Sequence, residues 1–307
     1  MDALLYFKAL ADATRIRLVN TLLHHELSVN EIVALMDMGQ SRISRHLKIL
    51  SDAKILQCRR DGIWAFYSVS DHSETRKLID GIAYLFSADP SLQQDLGNAS
   101  RLIEERNIRT RQFFNTIATD WDLLKKEILG SFDLNQAIAQ QIEPCATAAD
   151  LGCGTGELIH YIKEKAPVII GVDSSARMLA EARKRFVPKN GAPDLRLGEL
   201  EHLPLRDGEA ELAIISMVLH HLSDPVLAIQ EAERILKPGG VLIIAELNKH
   251  QDETMRKAYG DRWLGFHSDE IKTFLQSAGL SLQHVRSYPI GHQLAINLFK
   301  SVKPITP

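Results

Sequence analysis

Residues 148–157 read Ala-Ala-Asp-Leu-Gly-Cys-Gly-Thr-Gly-Glu, with Gly152, Gly154 and Gly156 at alternate positions after an apolar run that ends in Asp150 and Leu151. The pattern predicts a short strand, a glycine-rich turn and a helix over residues 157–165. Glycine takes positive φ without steric cost, so such a turn brings backbone amides, and the amides of a helix start, close to a ligand. A dinucleotide pyrophosphate is one occupant to test. It calls for a further glycine three residues after Gly154, where this chain has Glu157. An acid there suits an amino-acid or ribose group better. The next apolar run, residues 168–172, closes on Asp173. That is about 20 residues past the turn, the spacing at which a carboxylate meets ribose hydroxyls.

Asp150-Leu151-Gly152-Cys153-Gly154-Thr155-Gly156, followed by Gly171-Val172-Asp173-Ser174-Ser175, resembles motif I and the acidic loop of class I S-adenosylmethionine-dependent methyltransferases. The resemblance runs from about residue 113 to about residue 300. It implies a Rossmann-like α/β fold with a mostly parallel seven-stranded sheet, and S-adenosylmethionine or S-adenosylhomocysteine as cofactor. The cofactor-binding residues it implies are Asp150, Gly152, Cys153, Gly154, Gly156, Asp173, Ser174, Glu199, Leu200 and Ser216, with Glu199 and Leu200 at the adenine. Phe113, Phe114, Ala118, Trp121 and Asp122 resemble the segment that covers the cofactor in many small-molecule methyltransferases; packing of a helix on the sheet is the other role open to these aromatics. No D/N-P-P-Y motif follows the apolar run Ile214-Ile215-Ser216, and His220-His221 reads as a structural pair, so no catalytic residue is assigned.

The elements around these residues alternate. Apolar runs near 194–200, 211–217 and 241–245 are separated by helical patterns, as in a parallel sheet covered on both faces. A last helix over 268–278 and two strands over 281–288 and 293–300 close the chain. Ligands of such sheets sit at the carboxyl ends of the strands, and Asp150, Asp173, Glu199 and Ser216 fall at or near such ends.

The N-terminal third has different chemistry. Ser28 followed by Glu31 forms a capping-box signal for a helix ending near Met36. Asp37-Met38-Gly39 makes a turn, and Gln40-Ser41-Arg42-Ile43-Ser44-Arg45-His46-Leu47-Lys48 begins a second helix. Ile43, Leu47 and Leu50 face inward; the hydroxyl and basic residues face out. Two apolar runs, 55–58 and 63–69, joined at Asp61-Gly62, read as a hairpin wing. Although the whole chain carries a net charge of −3, the cations Arg42, Arg45, Lys48, Lys54, Arg59 and Arg60 face only Asp52 and Asp61 between residues 40 and 62. Concentrated basic charge on one helix and wing suits nucleic-acid phosphates. The DNA-binding candidates are Gln40, Ser41, Arg42, Ser44, Arg45, His46, Lys48, Arg59 and Arg60.

Residues 6–69 resemble an ArsR/SmtB-type winged helix-turn-helix, mostly α with a β-hairpin. The resemblance implies a homodimeric repressor bound to double-stranded operator DNA. Many metal-sensing members carry C-x-C where this chain has Ser28 and Asn30, which cannot replace thiolates for soft metals, so no metal site is expected. The fused arrangement resembles S-adenosylhomocysteine-responsive repressors of the methyl cycle. Expected domains are residues 1–88 (DNA binding and dimerisation), 89–130 (helical linker and cofactor lid) and 131–307 (methyltransferase-like), a multidomain architecture. Cys58, Cys145 and Cys153 form no C-x-x-C, and neither a leader pattern near Asp2 nor a membrane-length apolar run is present. A cytoplasmic protein without membrane partners is expected. Two functions remain open: a repressor whose second domain senses an S-adenosyl ligand, or a methyltransferase for an unknown small acceptor that also binds DNA.

Overall fold

Side-chain caps set the frame of the N-terminal region. In the computed structural model, which describes residues 3–186 and 192–305 and so leaves Asp2 outside, α1 (Ala3–Leu10) stops before Asp12. The Asp12 carboxylate accepts from the Arg15 amide at 3.0 Å and starts α2 (Ala13–His24). After the two-residue strand β1 (Leu27–Ser28), Ser28 and Glu31 form the expected reciprocal cap on α3 (Val29–Met36). Asp37, with φ 49°, ends it, and α4 (Gln40–Asp52) follows Gly39. Strands β2 (Leu56–Asp61) and β3 (Trp64–Val69) make the wing. Its connection is Gly62 and Ile63, one residue later than the sequence pattern suggested, because Asp61 still pairs with Trp64 and Gly62 supplies the positive φ. β1 adds to β3, giving the order β1-β3-β2.

α5 (Ser73–Ser87) sends Ile79 and Phe86 into a core shared with Leu18, Leu47 and Leu50, and leaves Tyr84 and Leu85 exposed. α6 (Pro90–Ile117) opens on a proline, which suits a first helical turn. Its Asp95 takes Arg17 in a bidentate pair at 2.7 and 2.8 Å, and its Arg106 reaches Glu31 at 2.8 Å. The chain divides into two compact units, Met1–Arg106 and Asn107–Pro307, and α6 contributes residues to both.

The second unit runs α7 (Trp121–Leu129), α8 (Leu134–Ala139), β4 (Thr147–Leu151), α9 (Ile159–Ile162), β5 (Val168–Asp173), α10 (Ala176–Arg185), β6 (Asp194–Leu197), β7 (Ala210–Ser216), α11 (Pro225–Ile235), β8 (Leu236–Leu247), α12 (Thr254–Ala258), α13 (Ser268–Ser277), β9 (Ser281–Pro289) and β10 (Ala295–Val302). Its described strands form one seven-stranded sheet of order β6-β5-β4-β7-β8-β10-β9. Pairing is parallel from β6 to β8, and β10 lies antiparallel to both its neighbours. Ala148, Ala149, Leu151, Ile214, Ile215, Ile243 and Ile244 are fully buried, as strands covered on both faces must be. The helix expected over 157–165 is a single turn. Gly154 and Gly156, at φ 53° and 78°, delay helix entry to Ile159. No helix among the described residues is long and apolar enough to cross a membrane.

The capping box makes a stability prediction. Ser28→Ala removes one of two reciprocal cap bonds on α3, so the full chain should lose about 1 kcal/mol in the unfolding transition that reports the first unit, measured by urea titration.

Candidate functional site

The exposed face of α4 carries Gln40, Ser41, Arg42, Ser44, Arg45 and Lys48. His46 does not share it. Positions 43, 46, 47 and 50 form one helical stripe, so His46 is buried with Ile43, Leu47 and Leu50, its Nδ1 3.7 Å from Asp12. On the wing, Arg60 is exposed, whereas Arg59 is half-buried and held by Glu26 at 2.9 and 3.1 Å. The expected phosphate partners thus reduce to Arg60 and the α4 cations, with Lys48 also touching Asp52 at 3.2 Å.

The second unit holds a cavity at the carboxyl ends of β4, β5 and β7. Asp150, Gly152, Cys153, Gly154, Asp173, Ser174, Glu199, Leu200 and Ser216 all line it. Gly156 does not: a Cβ there would lie 3.0 Å from the Phe186 ring, so its glycine serves packing. Gly152 has φ 78°, and a Cβ on it would meet Val218 at 2.4 Å, so the turn tolerates no side chain at this point. Among these groups Asp150 is the most constrained. It is 2 % exposed, and its Oδ2 has no hydrogen-bond partner. Burial raises its pKa, the Lys125 ammonium pulls it down, and the neighbouring Asp173 pushes it up again, leaving it near 7. Asp173 is raised to about 6 by burial, against the opposing effect of amide bonds from Ser175 at 2.8 Å and Gly154 at 2.9 Å. Ser216 Oγ is likewise buried without a partner. Buried polar atoms are costly when unpaired, and here both project from residues that line one cavity. A ligand with a cationic amine and hydroxyl groups would satisfy them.

Helices α6 and α7 supply the walls that the glycine pattern could not indicate: Asn107, Thr110, Arg111, Phe114, Trp121 and Lys125. Arg111 sits 3.3 Å from Glu199, and Lys125 3.2 Å from Glu157. Of the expected covering residues, Phe114 and Trp121 line the cavity, edge to face at 5.4 Å. Phe113 instead packs against Gly260, and Ala118 is buried. Asp122 accepts from Thr155 Oγ1 at 2.6 Å and pairs with Arg185, tying α7 to the glycine turn. Met217 holds φ 58° at the end of β7, a strained conformation for methionine and one found at functional sites.

His220 and His221 are both buried, and His221 lines the cavity. His220 Nδ1 meets Glu246 at 2.5 Å, and its Nε2 lies 3.7 Å from Asp261. Burial opposes its charge, but Glu246 and then Asp261 outweigh this and raise its pKa to about 9. His221 is held well below the ordinary histidine range by burial and by the charge on His220. His220, His221 and Asp261 bring ligand-type atoms within 4.8 Å of one another. His220, protonated at neutral pH, already places a positive charge between the two carboxylates.

Residues 12–57 match the family model described as bacterial regulatory protein, arsR family, and residues 149–244 match the one described as methyltransferase domain. The chain joins an arsR-family DNA-binding module to a methyltransferase domain. An uncharacterized 37.1 kDa protein in a transposon of Streptomyces fradiae is 40% identical over 111 residues, covering 35% of this chain and 32% of that protein. The UbiE ubiquinone/menaquinone biosynthesis C-methyltransferase of Syntrophotalea carbinolica is 30% identical over 156 residues, covering 49% of this chain and 66% of that enzyme. The chain therefore spans about a third of the first relative's length and just under two thirds of the second's. The [4+2]-cyclase SpnF has the same fold as the methyltransferase domain, with a TM-score of 0.54 at 18% identity over 64% of this chain and 97% of that one. The methyltransferase domain thus supplies the cavity, and the arsR-family module the basic helix.

The two raised carboxyls set a pH dependence. The native chain keeps protons on Asp150 and Asp173 that the unfolded chain, at the ordinary value of 3.8, has released. Their contribution to stability is full below that value and is lost as pH rises through about 6 and then 7. Asp150→Asn should therefore lose less stability than the wild type between mildly acidic and mildly alkaline pH, measured as the shift in urea midpoint.

Proposed function

We propose that the chain is a DNA-binding transcriptional regulator whose methyltransferase domain binds S-adenosylhomocysteine or S-adenosylmethionine as an effector, with repression of methyl-cycle genes as its role. The observation that carries this reading is the participation of α6 in both units. Its Asp95 and Arg106 hold Arg17 and the α3 cap residue Glu31 in the arsR-family module. Further along the same helix, Asn107, Thr110, Arg111 and Phe114 line the cavity. A ligand that displaces Arg111 from Glu199 acts on the helix that also fixes α3. Residues 89–130 serve as linker and lid in this reading.

Asp150 takes the ammonium of the amino-acid end, Asp173 the ribose hydroxyls, and Glu199 with Leu200 the adenine. The glycine turn passes close to the chain joining them. On the DNA side, Ser41, Arg42, Ser44 and Arg45 enter the major groove and Arg60 meets phosphate. A homodimer covers the apolar residues Leu4, Leu5 and Phe7 of α1 and Tyr84 and Leu85 of α5, all exposed in the single chain. It reads two half-sites about one helical turn apart, or a multiple.

The test is fluorescence anisotropy on a duplex that the full chain selects from a random pool, titrated with each nucleoside, with and without zinc. S-adenosylhomocysteine should weaken DNA binding at least about tenfold, equivalent to about 1.4 kcal/mol of coupling, and Asp173→Ala should abolish that response. Arg45→Ala should cost about 1–3 kcal/mol of specific DNA affinity and leave nucleoside affinity unchanged. DNA binding that ignores both nucleosides and responds to zinc would contradict the reading.

A further inference from the structure

We propose that the methyltransferase domain carries a second ligand site, at the amino ends of its parallel strands, and that this site takes a free α-amino acid with an apolar side chain. It lies at the other end of the sheet from the cavity described above and does not depend on how that cavity is read.

A second cavity is lined by the segment before β4, by the first residues of β7 and β8, and by Lys300 near the end of β10. Lys300 is its unusual member. β10 is covered on both faces, with Ile296, Leu298 and Phe299 buried. A lysine in such a strand, here 8% exposed, needs a partner for its ammonium. Its Nζ donates to Glu143 at 2.8 Å, but the Glu143 side chain is 84% exposed. A carboxylate so exposed keeps its hydration when it swings away, whereas the lysine stays in the strand. The other polar groups are better fixed. Glu211 accepts from Lys237 at 2.8 Å with one oxygen and from the Ala146 amide at 2.7 Å with the other. Gln141 is buried, and its Oε1 accepts from His284 Nε2 at 2.9 Å, so only its N–H groups remain to meet a ligand.

The charges select the class of ligand. Lys237 and Lys300 balance Glu143 and Glu211, so the lining is neutral as a whole. A simple anion would take Lys300 and leave Glu143 without its counter-ion, beside a second negative charge. A simple cation would take Glu143 and leave the Lys300 ammonium unpaired. Either outcome strands a charge, which is costly in a recessed site. A zwitterion inserts into the Lys300–Glu143 pair instead. Its carboxylate meets Lys300 and the Gln141 N–H groups, and its ammonium meets Glu143. One ion pair is broken and two are formed. The apolar remainder of the lining, Leu212 and Val241 with Pro144 and Pro238, suits an aliphatic side chain.

The test is calorimetry on the full chain with L-leucine, with 4-methylpentanoate, which lacks the ammonium, and with 3-methylbutylamine, which lacks the carboxylate. Leucine should bind, and each analogue should bind at least about tenfold more weakly, because each loses one charge-assisted contact. Lys300→Met keeps the length of the buried stem and removes the charge, and should weaken leucine binding at least about tenfold. Glu143→Gln alters only an exposed side chain, so it should weaken leucine binding with little change in urea midpoint. A measurement on the unmutated protein locates the site. Leucine should slow alkylation of Cys145, which lines this cavity, and leave that of Cys58, exposed on the wing, unchanged. Equal affinity for leucine and 4-methylpentanoate would make this an anion site and overturn the proposal. No leucine binding, wild-type leucine affinity in Lys300→Met, or leucine binding that leaves Cys145 unprotected would overturn it as well.

Discussion

Two carboxylates at neighbouring strand ends constrain the second unit. Asp150 and Asp173 sit at the tips of β4 and β5, strands paired so that Asp150 lies beside Gly171. Ionising both in a recessed site is costly, because each is deprived of water and each repels the other. Lys125 offsets part of that cost for Asp150, and the amides of Gly154 and Ser175 offset part for Asp173. The open glycine turn follows from the same constraint: it gives one amide to Asp173 while leaving Asp150 Oδ2 unbonded. The folded chain thus carries a local electrostatic cost that a cationic, hydroxylated ligand relieves.

The helices before the sheet are secured to this region by polar ties. Asn115 accepts from Ser175 Oγ at 2.8 Å, Asp122 from Thr155, and Lys125 meets Glu157. Each tie ends on the glycine turn or on the loop after β5, the two segments that hold the carboxylates. The covering helices and the two carboxylate-bearing segments are therefore joined through few bonds. α6 enters the first unit as well, where Leu92 is part of the core. One element thereby answers both to the cavity and to the packing of the DNA-binding module.

Much of this was legible in the sequence because its signals are local. The Ser28–Glu31 cap, the glycine turn with its spaced Asp173, and the apolar strand runs each act within a few residues or at fixed spacing. The parallel strands followed from the alternation of helix and strand, and the final antiparallel pair from the family resemblance. Non-local contacts were not legible. Nothing in the spacing of α6 and α7 says that Arg111 meets Glu199 or that the Lys125 charge acts on Asp150. The burial of His46 was missed because its residue type suggests DNA, while its position in the 43/46/47/50 stripe assigns it to the core. Arg59 was read by charge, yet Glu26, 33 positions away, determines its partner. Gly156 was grouped with its neighbours by pattern, although its neighbour in space is Phe186. His220-His221 was set aside as a structural pair, and only the fold brings Glu246 and Asp261 to it.

The central claim is that Asp150 receives a cationic group of the ligand. A carboxyl near pKa 7 in the ligand-free chain must release its proton when an ammonium is placed against it. The direct measurement is calorimetry of S-adenosylhomocysteine binding to the full chain at mildly acidic pH, repeated in phosphate and in imidazole, buffers of different ionisation enthalpy. The account predicts binding heats that differ between the buffers in the sense of proton release, and no such difference for Asp150→Asn. Binding whose heat is the same in both buffers, or proton release that survives in Asp150→Asn, would contradict it.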